Sequence, residues 1–165
     1  MSRIQKYSIK RINRDLKEIM DNPIEGIGII SLNDNPMEYI VNIKLMGGIY
    51  KNYCLQLLLI FSDNYPINPP KILIYPRQIF DNNYHHHIFK DIKIDENGEN
   101  FKKFCFDLLE NDFLSTQKEG TGWNPSYTIS TLLLQVQAFL SDPDLPENLL
   151  PNDSKIKELM ESMKN

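Results

Sequence analysis

The chain of 165 residues, 41% of them hydrophobic, is long enough to bury one continuous core, and a single domain over 1–165 is expected. Asp and Glu number 22 against 18 Lys and Arg, and the net charge of −4 argues against a nucleic-acid-coating surface. Two cysteines are too few for a disulfide scaffold, and the aliphatic runs at 57–61 and 132–134 fall far short of the ~20 residues of a membrane span.

With no apolar N-terminal segment, a reducing compartment, cytoplasmic or nuclear, is the expectation. Residues 8–20 set Ile9, Ile12, Leu16, Ile19 and Met20 on one face, with Arg11, Arg14, Asp15, Lys17 and Glu18 elsewhere. This pattern predicts an amphipathic helix, begun near Ser8 and stopped by Asn22-Pro23. Arg3, Lys6, Lys10, Arg11, Arg14 and Lys17 are opposed only by Asp15, so this end is basic on an acidic body. Such a helix suits an acidic protein surface better than DNA.

Four strands are expected next, over 27–32, 39–45, 54–61 and 71–75. No crossover helix separates them, which predicts an antiparallel meander in an α+β fold. Between the third and fourth lies Asp63-Asn64-Tyr65-Pro66-Ile67-Asn68-Pro69-Pro70, whose prolines cannot serve a ladder, so a stiff, shaped loop is expected. From 76 to 104 only 88–94 shows strand character, and a long loop region, functional or partly disordered, is expected there. Thr128 or Ser130 can cap a helix to about Leu140, with Leu132, Leu133, Val136, Phe139 and Leu140 at helical spacing. Ser141-Asp142-Pro143 ends it, and Asn152 or Asp153 caps a last helix carrying Ile156, Leu159, Met160 and Met163.

One stretch invites chemistry. Phe104-Cys105-Phe106-Asp107-Leu108-Leu109 sets a cysteine between long polar loops rather than sheet partners, flanked by His85-His86-His87 and by Trp123-Asn124-Pro125-Ser126. A cysteine carried between loops is more often placed for reaction than for packing. From local residues alone, a buried structural thiol is an equal reading. Cys54 lies in a strand, where packing is the better reading.

Six motifs in order resemble the ubiquitin-conjugating enzymes along nearly the whole chain. They are Lys10-Arg11-Ile12-Asn13-Arg14-Asp15-Leu16, Tyr65-Pro66-x-x-Pro69-Pro70, His85-His86-His87, Cys105-Phe106-Asp107-Leu108-Leu109, Trp123-Asn124-Pro125-Ser126 and Ser141-Asp142-Pro143. The resemblance implies that fold: an N-terminal helix, a four-stranded antiparallel meander, a long active-site loop region and C-terminal helices. It also implies acyl transfer. An activating enzyme would pass ubiquitin, or a ubiquitin-like modifier, to Cys105 as a thioester, and an amine would then attack that carbonyl, usually with a ubiquitin ligase. Neither a metal nor an organic cofactor is implied, nor a nucleic-acid or membrane partner. Adjacent histidine side chains diverge, and no Cys-x-x-Cys or His-Glu-x-x-His accompanies them, so the histidine run is not expected to bind metal.

By the same resemblance, His87 stands where the family has an Asn that supports the oxyanion or its loop; it either takes over that duty or braces the loop. His85 matches a loop histidine that is mostly structural in the family, while Asp107 and Trp123 complete the active-site loop. Glu147 falls where the family has an acidic residue near the incoming lysine, with Asp144 a near alternative and a solvated loop carboxylate the plain reading. Ligase docking maps to Lys10, Arg11 and Arg14, to Ile67, and to Asn124, Pro125 and Ser126. Twenty positions from His85 to Cys105, and eighteen from there to Trp123, exceed the common family spacing. This leaves open which modifier is carried. Two other classes compete: a non-catalytic modifier-binding scaffold, favoured by the loss of His-Pro-Asn, and a Cys-His hydrolase, which needs a base at the sulfur.

Overall fold

The computed structural model describes residues 2–48, 50–75, 88–94, 100–104, 107–109 and 122–141. Helix α1 spans Arg3–Asp21, and its N-cap is Ser2, whose Oγ accepts from the Gln5 N–H at 3.1 Å. The predicted start at Ser8 is therefore one and a half turns late. Ser8 is buried inside the helix, where its hydroxyl lies against the carbonyls of Asp63 and Tyr65. A serine that reads as a cap is in fact a tertiary contact. The stop is as expected: the Asn22 N–H reaches Glu18 O at 2.9 Å, and Pro23 follows. Met20 faces solvent instead of the core, and the buried stripe is Ser8, Ile12, Asp15 and Ile19.

The four expected strands are β1 (Ile27–Ser31), β2 (Glu38–Lys44), β3 (Cys54–Ile60) and β4 (Lys71–Ile74), an antiparallel meander. Two more extend it, β5 (Ile88–Ile94) and β6 (Asn100–Phe104), in the order β1-β2-β3-β4-β6-β5. β6 was not expected. It pairs with β4 through Leu73–Lys103 and Ile74–Lys102, so the chain entering Cys105 comes from the sheet and not from a polar loop.

Alternation along the strands turns Tyr39, Val41, Ile43, Leu55, Leu57, Leu59, Ile72 and Ile74 to one face. There they meet Ile12 and Ile19 of α1, and Ile129, Leu132, Leu133, Val136 and Leu140 of α2 (Ile129–Ser141). α2 is capped by Thr128, whose Oγ1 accepts from the Thr131 N–H at 3.3 Å. Opposite, Leu58, Leu73 and Phe101 form a smaller buried cluster. Gln137 ties α2 to the sheet by donating to Lys44 O at 2.8 Å and Glu25 O at 3.1 Å. Gly26 permits that approach: its φ is +78°, and a Cβ would lie 3.1 Å from the Gln137 amide. The helix expected after Asn152 or Asp153 lies outside the described residues.

Candidate functional site

Three segments meet along the middle of α1: the helix itself, the proline loop at 61–70, and the turn at 122–128 leading into α2. Each pair is joined. From α1, the Ser8 hydroxyl lies 2.8 Å from Tyr65 O. From the loop, the Tyr65 hydroxyl donates to Asp15 Oδ2 at 2.9 Å. Arg11 joins α1 to the turn, donating from Nη1 to Pro125 O at 3.0 Å and from Nη2 to Tyr127 O at 2.8 Å. The Trp123 indole closes the triangle, with Nε1 donating to Pro66 O at 2.7 Å.

Asp15 sits at the centre with 0% exposure. A buried carboxylate needs a cation and filled hydrogen-bond sites, and this one has both. Arg11 Nε lies 2.9 and 3.1 Å from its two oxygens, while Arg14 Nη2 reaches one of them at 3.4 Å. Burial, and then the negative charge of Asp15, push the Tyr65 hydroxyl far above the ordinary tyrosine value, while Arg11 and Arg14 pull the other way. The guanidinium carbon of Arg11 lies 5.8 Å from the centre of the Tyr65 ring. Aromatic edges pack the rest: Tyr65 on Phe61 at 4.7 Å, and Trp123 on Tyr127 at 5.8 Å between centroids.

Outside this buried triangle lie most of the residues that the sequence assigns to docking. Lys10, Arg14, Ile67, Asn124, Pro125 and Ser126 are exposed, Ile67 at 70%, a high value for a large apolar side chain on a braced loop. Arg11 differs. Its side chain is only 10% exposed, and Nε, Nη1 and Nη2 are all engaged, so it is a brace beneath the surface. Asn124 Oδ1 accepts from the Ser126 N–H at 2.9 Å, which shapes the exposed turn. Trp123 is buried and structural.

Asp107 opens a short 3-10 turn, Asp107–Leu109, in which Leu108 joins the core. Cys105, His85, His87 and Glu147 lie outside the described residues, as does Asp144. Cys54, expected to pack, is exposed at the start of β3. Sequence reasoning missed Asp15, Ser8 and Tyr65 as a polar core; the Arg11–Asp15 spacing of one helical turn was the available signal.

The sequence profile of the ubiquitin-conjugating enzyme matches residues 11–164. The chain belongs to the ubiquitin-conjugating enzyme family. Among curated relatives it is 27% identical over 139 residues to ubiquitin-conjugating enzyme E2 2 of Candida albicans, covering 82% of this chain and 63% of that one. In the relatives compared, the matched segment spans 61% to 74% of their length. A human ubiquitin-conjugating enzyme E2 G1 structure superposes with a TM-score of 0.61 at 24% identity, covering 84% of this chain and 98% of its own. A structure described as a novel ubiquitin-conjugating enzyme gives 0.67 at 22% identity, with 99% of both chains covered. These two likenesses establish the shared fold.

Proposed function

We propose that this family member is an acyltransferase carrying ubiquitin, or a ubiquitin-like modifier, as a thioester on Cys105. The observation that carries the reading is the family match across residues 11–164, which includes Cys105 two positions ahead of the Asp107–Leu109 turn. The thiolate takes the modifier's C-terminal carbonyl from an activating enzyme, and an incoming amine displaces it. His87 supports the oxyanion or braces its loop, and Glu147 orients the amine or helps take its proton. Lys10, Arg14, Ile67 and Asn124 to Ser126 form the ligase-facing surface, with an exposed apolar Ile67 beside cations that suit an acidic rim. The working compartment in this reading is cytoplasmic or nuclear.

A second reading, a modifier-binding scaffold, is favoured by His85-His86-His87 in place of His-Pro-Asn. Incubation with an activating enzyme, ATP and ubiquitin separates the two. A reductant-sensitive adduct means carrier; binding without an adduct means scaffold. Cleavage of ubiquitin esters would instead mean a hydrolase.

A further inference from the structure

We propose that Asp15, which no partner can touch, is the positioning residue that holds the three docking segments in register. The inference rests on the ligase-docking reading of the preceding subsection. Asp15 is 0% exposed, yet it is linked to both arms of the surface, directly to the loop and through Arg11 to the turn. Through Arg11 Nε it fixes one edge of a planar guanidinium. Because the fork is rigid, fixing Nε aims Nη1 and Nη2 at the carbonyls of Pro125 and Tyr127. Through the Tyr65 hydroxyl the same carboxylate fixes the ring two positions before Ile67. One buried carboxylate thus fixes both exposed Ile67 and the exposed turn Asn124 to Ser126 relative to α1, alongside the direct Trp123–Pro66 bond between the two arms.

Replacing a whole buried ion pair by apolar side chains of similar volume is often neutral for stability. An apolar side chain at position 15 alone would strand the nearly buried Arg11 and cost stability. It would not aim Arg11 or Tyr65. Loss of the carboxylate therefore weakens docking by leaving a surface whose parts no longer keep one spacing, so the partner must order them on binding.

The test uses full-length protein charged with ubiquitin and an isolated RING domain, chosen from recombinant RING domains as one that accelerates lysine discharge from the parent. Discharge is followed against RING concentration for Asp15→Asn and for Tyr65→Phe, which removes only the hydroxyl. The half-saturating RING concentration rises about tenfold in the first and about threefold in the second. In both, the maximal rate at saturation stays within about twofold of the parent, a split that general loss of folded protein would not produce. Unchanged half-saturation in both variants, or a lowered maximal rate alone, overturns the proposal. Ile67→Ala separates the two levels. If it raises half-saturation while Asp15→Asn and Tyr65→Phe do not, only the positioning role falls; if it has no effect, the docking reading falls and this inference with it.

Discussion

Tyr65 donates its hydroxyl hydrogen to Asp15 across 2.9 Å in the interior, joining the proline loop to α1 by a bond that water does not reach. Arg11 supplies the nearer compensating charge, at 2.9 Å, with exposed Arg14 reaching the same carboxylate at 3.4 Å. The loop is therefore held by a polar core as well as by its prolines.

The first consequence is an alkaline limb in stability. Tyr65 is held far above the ordinary tyrosine value by burial, then by Asp15. Above about pH 10 the unfolded tyrosine loses its proton while the native one keeps it, so unfolding releases a proton. Stability is flat in this group below that pH and falls by about 1.4 kcal/mol per pH unit above it. Tyr39 and Tyr75, also raised by burial, add to the same limb. Urea unfolding from pH 8 to 11 shows a shallower fall in Tyr65→Phe than in the parent.

Arg11→Ala removes the nearer, buried counter-ion of a fully buried carboxylate and two carbonyl contacts to the turn before α2. The expected cost is about 3–5 kcal/mol in urea unfolding. Arg11→Lys keeps the charge but lacks the fork that serves three acceptors at once, so its loss falls between those of parent and Ala.

Gly26→Ala places a Cβ at φ +78° and 3.1 Å from the Gln137 amide, Lys44 O and Met46 Sδ. The left-handed conformation alone costs about 1–2 kcal/mol. Thermal unfolding shows a lowered midpoint, whereas Gly28→Ala, with nothing within 4 Å, gives a smaller change.

Trp123→Phe keeps an aromatic ring but leaves Pro66 O without its donor at 2.7 Å. The predicted loss is about 1–3 kcal/mol by denaturant unfolding.

Much of this was legible in the residues. Alternation marked β2, which keeps one face in the core, while β3 was marked by a more continuous apolar run that is buried on both faces. β6 escaped because Asn100-Phe101-Lys102-Lys103-Phe104 carries too little alternation, its strand state coming from pairing with β4 and β5. Asp15 was assigned outward because helical patterning sends every charge to solvent, and only a partner on the same face overturns that. The candidate docking residues were assigned through motif order, yet Arg11's inward role needed the positions of Pro125 and Tyr127, over a hundred residues away.

The central claim concerns one sulfur, and exposed Cys54 is the built-in control. After loading with activating enzyme, ATP and ubiquitin, adducts of the parent, Cys54→Ser and Cys105→Ser are compared with and without reductant. The account predicts a reductant-sensitive adduct in the parent and Cys54→Ser, and in Cys105→Ser either none or a reductant-resistant ester. A reductant-sensitive adduct that survives in Cys105→Ser, or that is lost in Cys54→Ser, would contradict it.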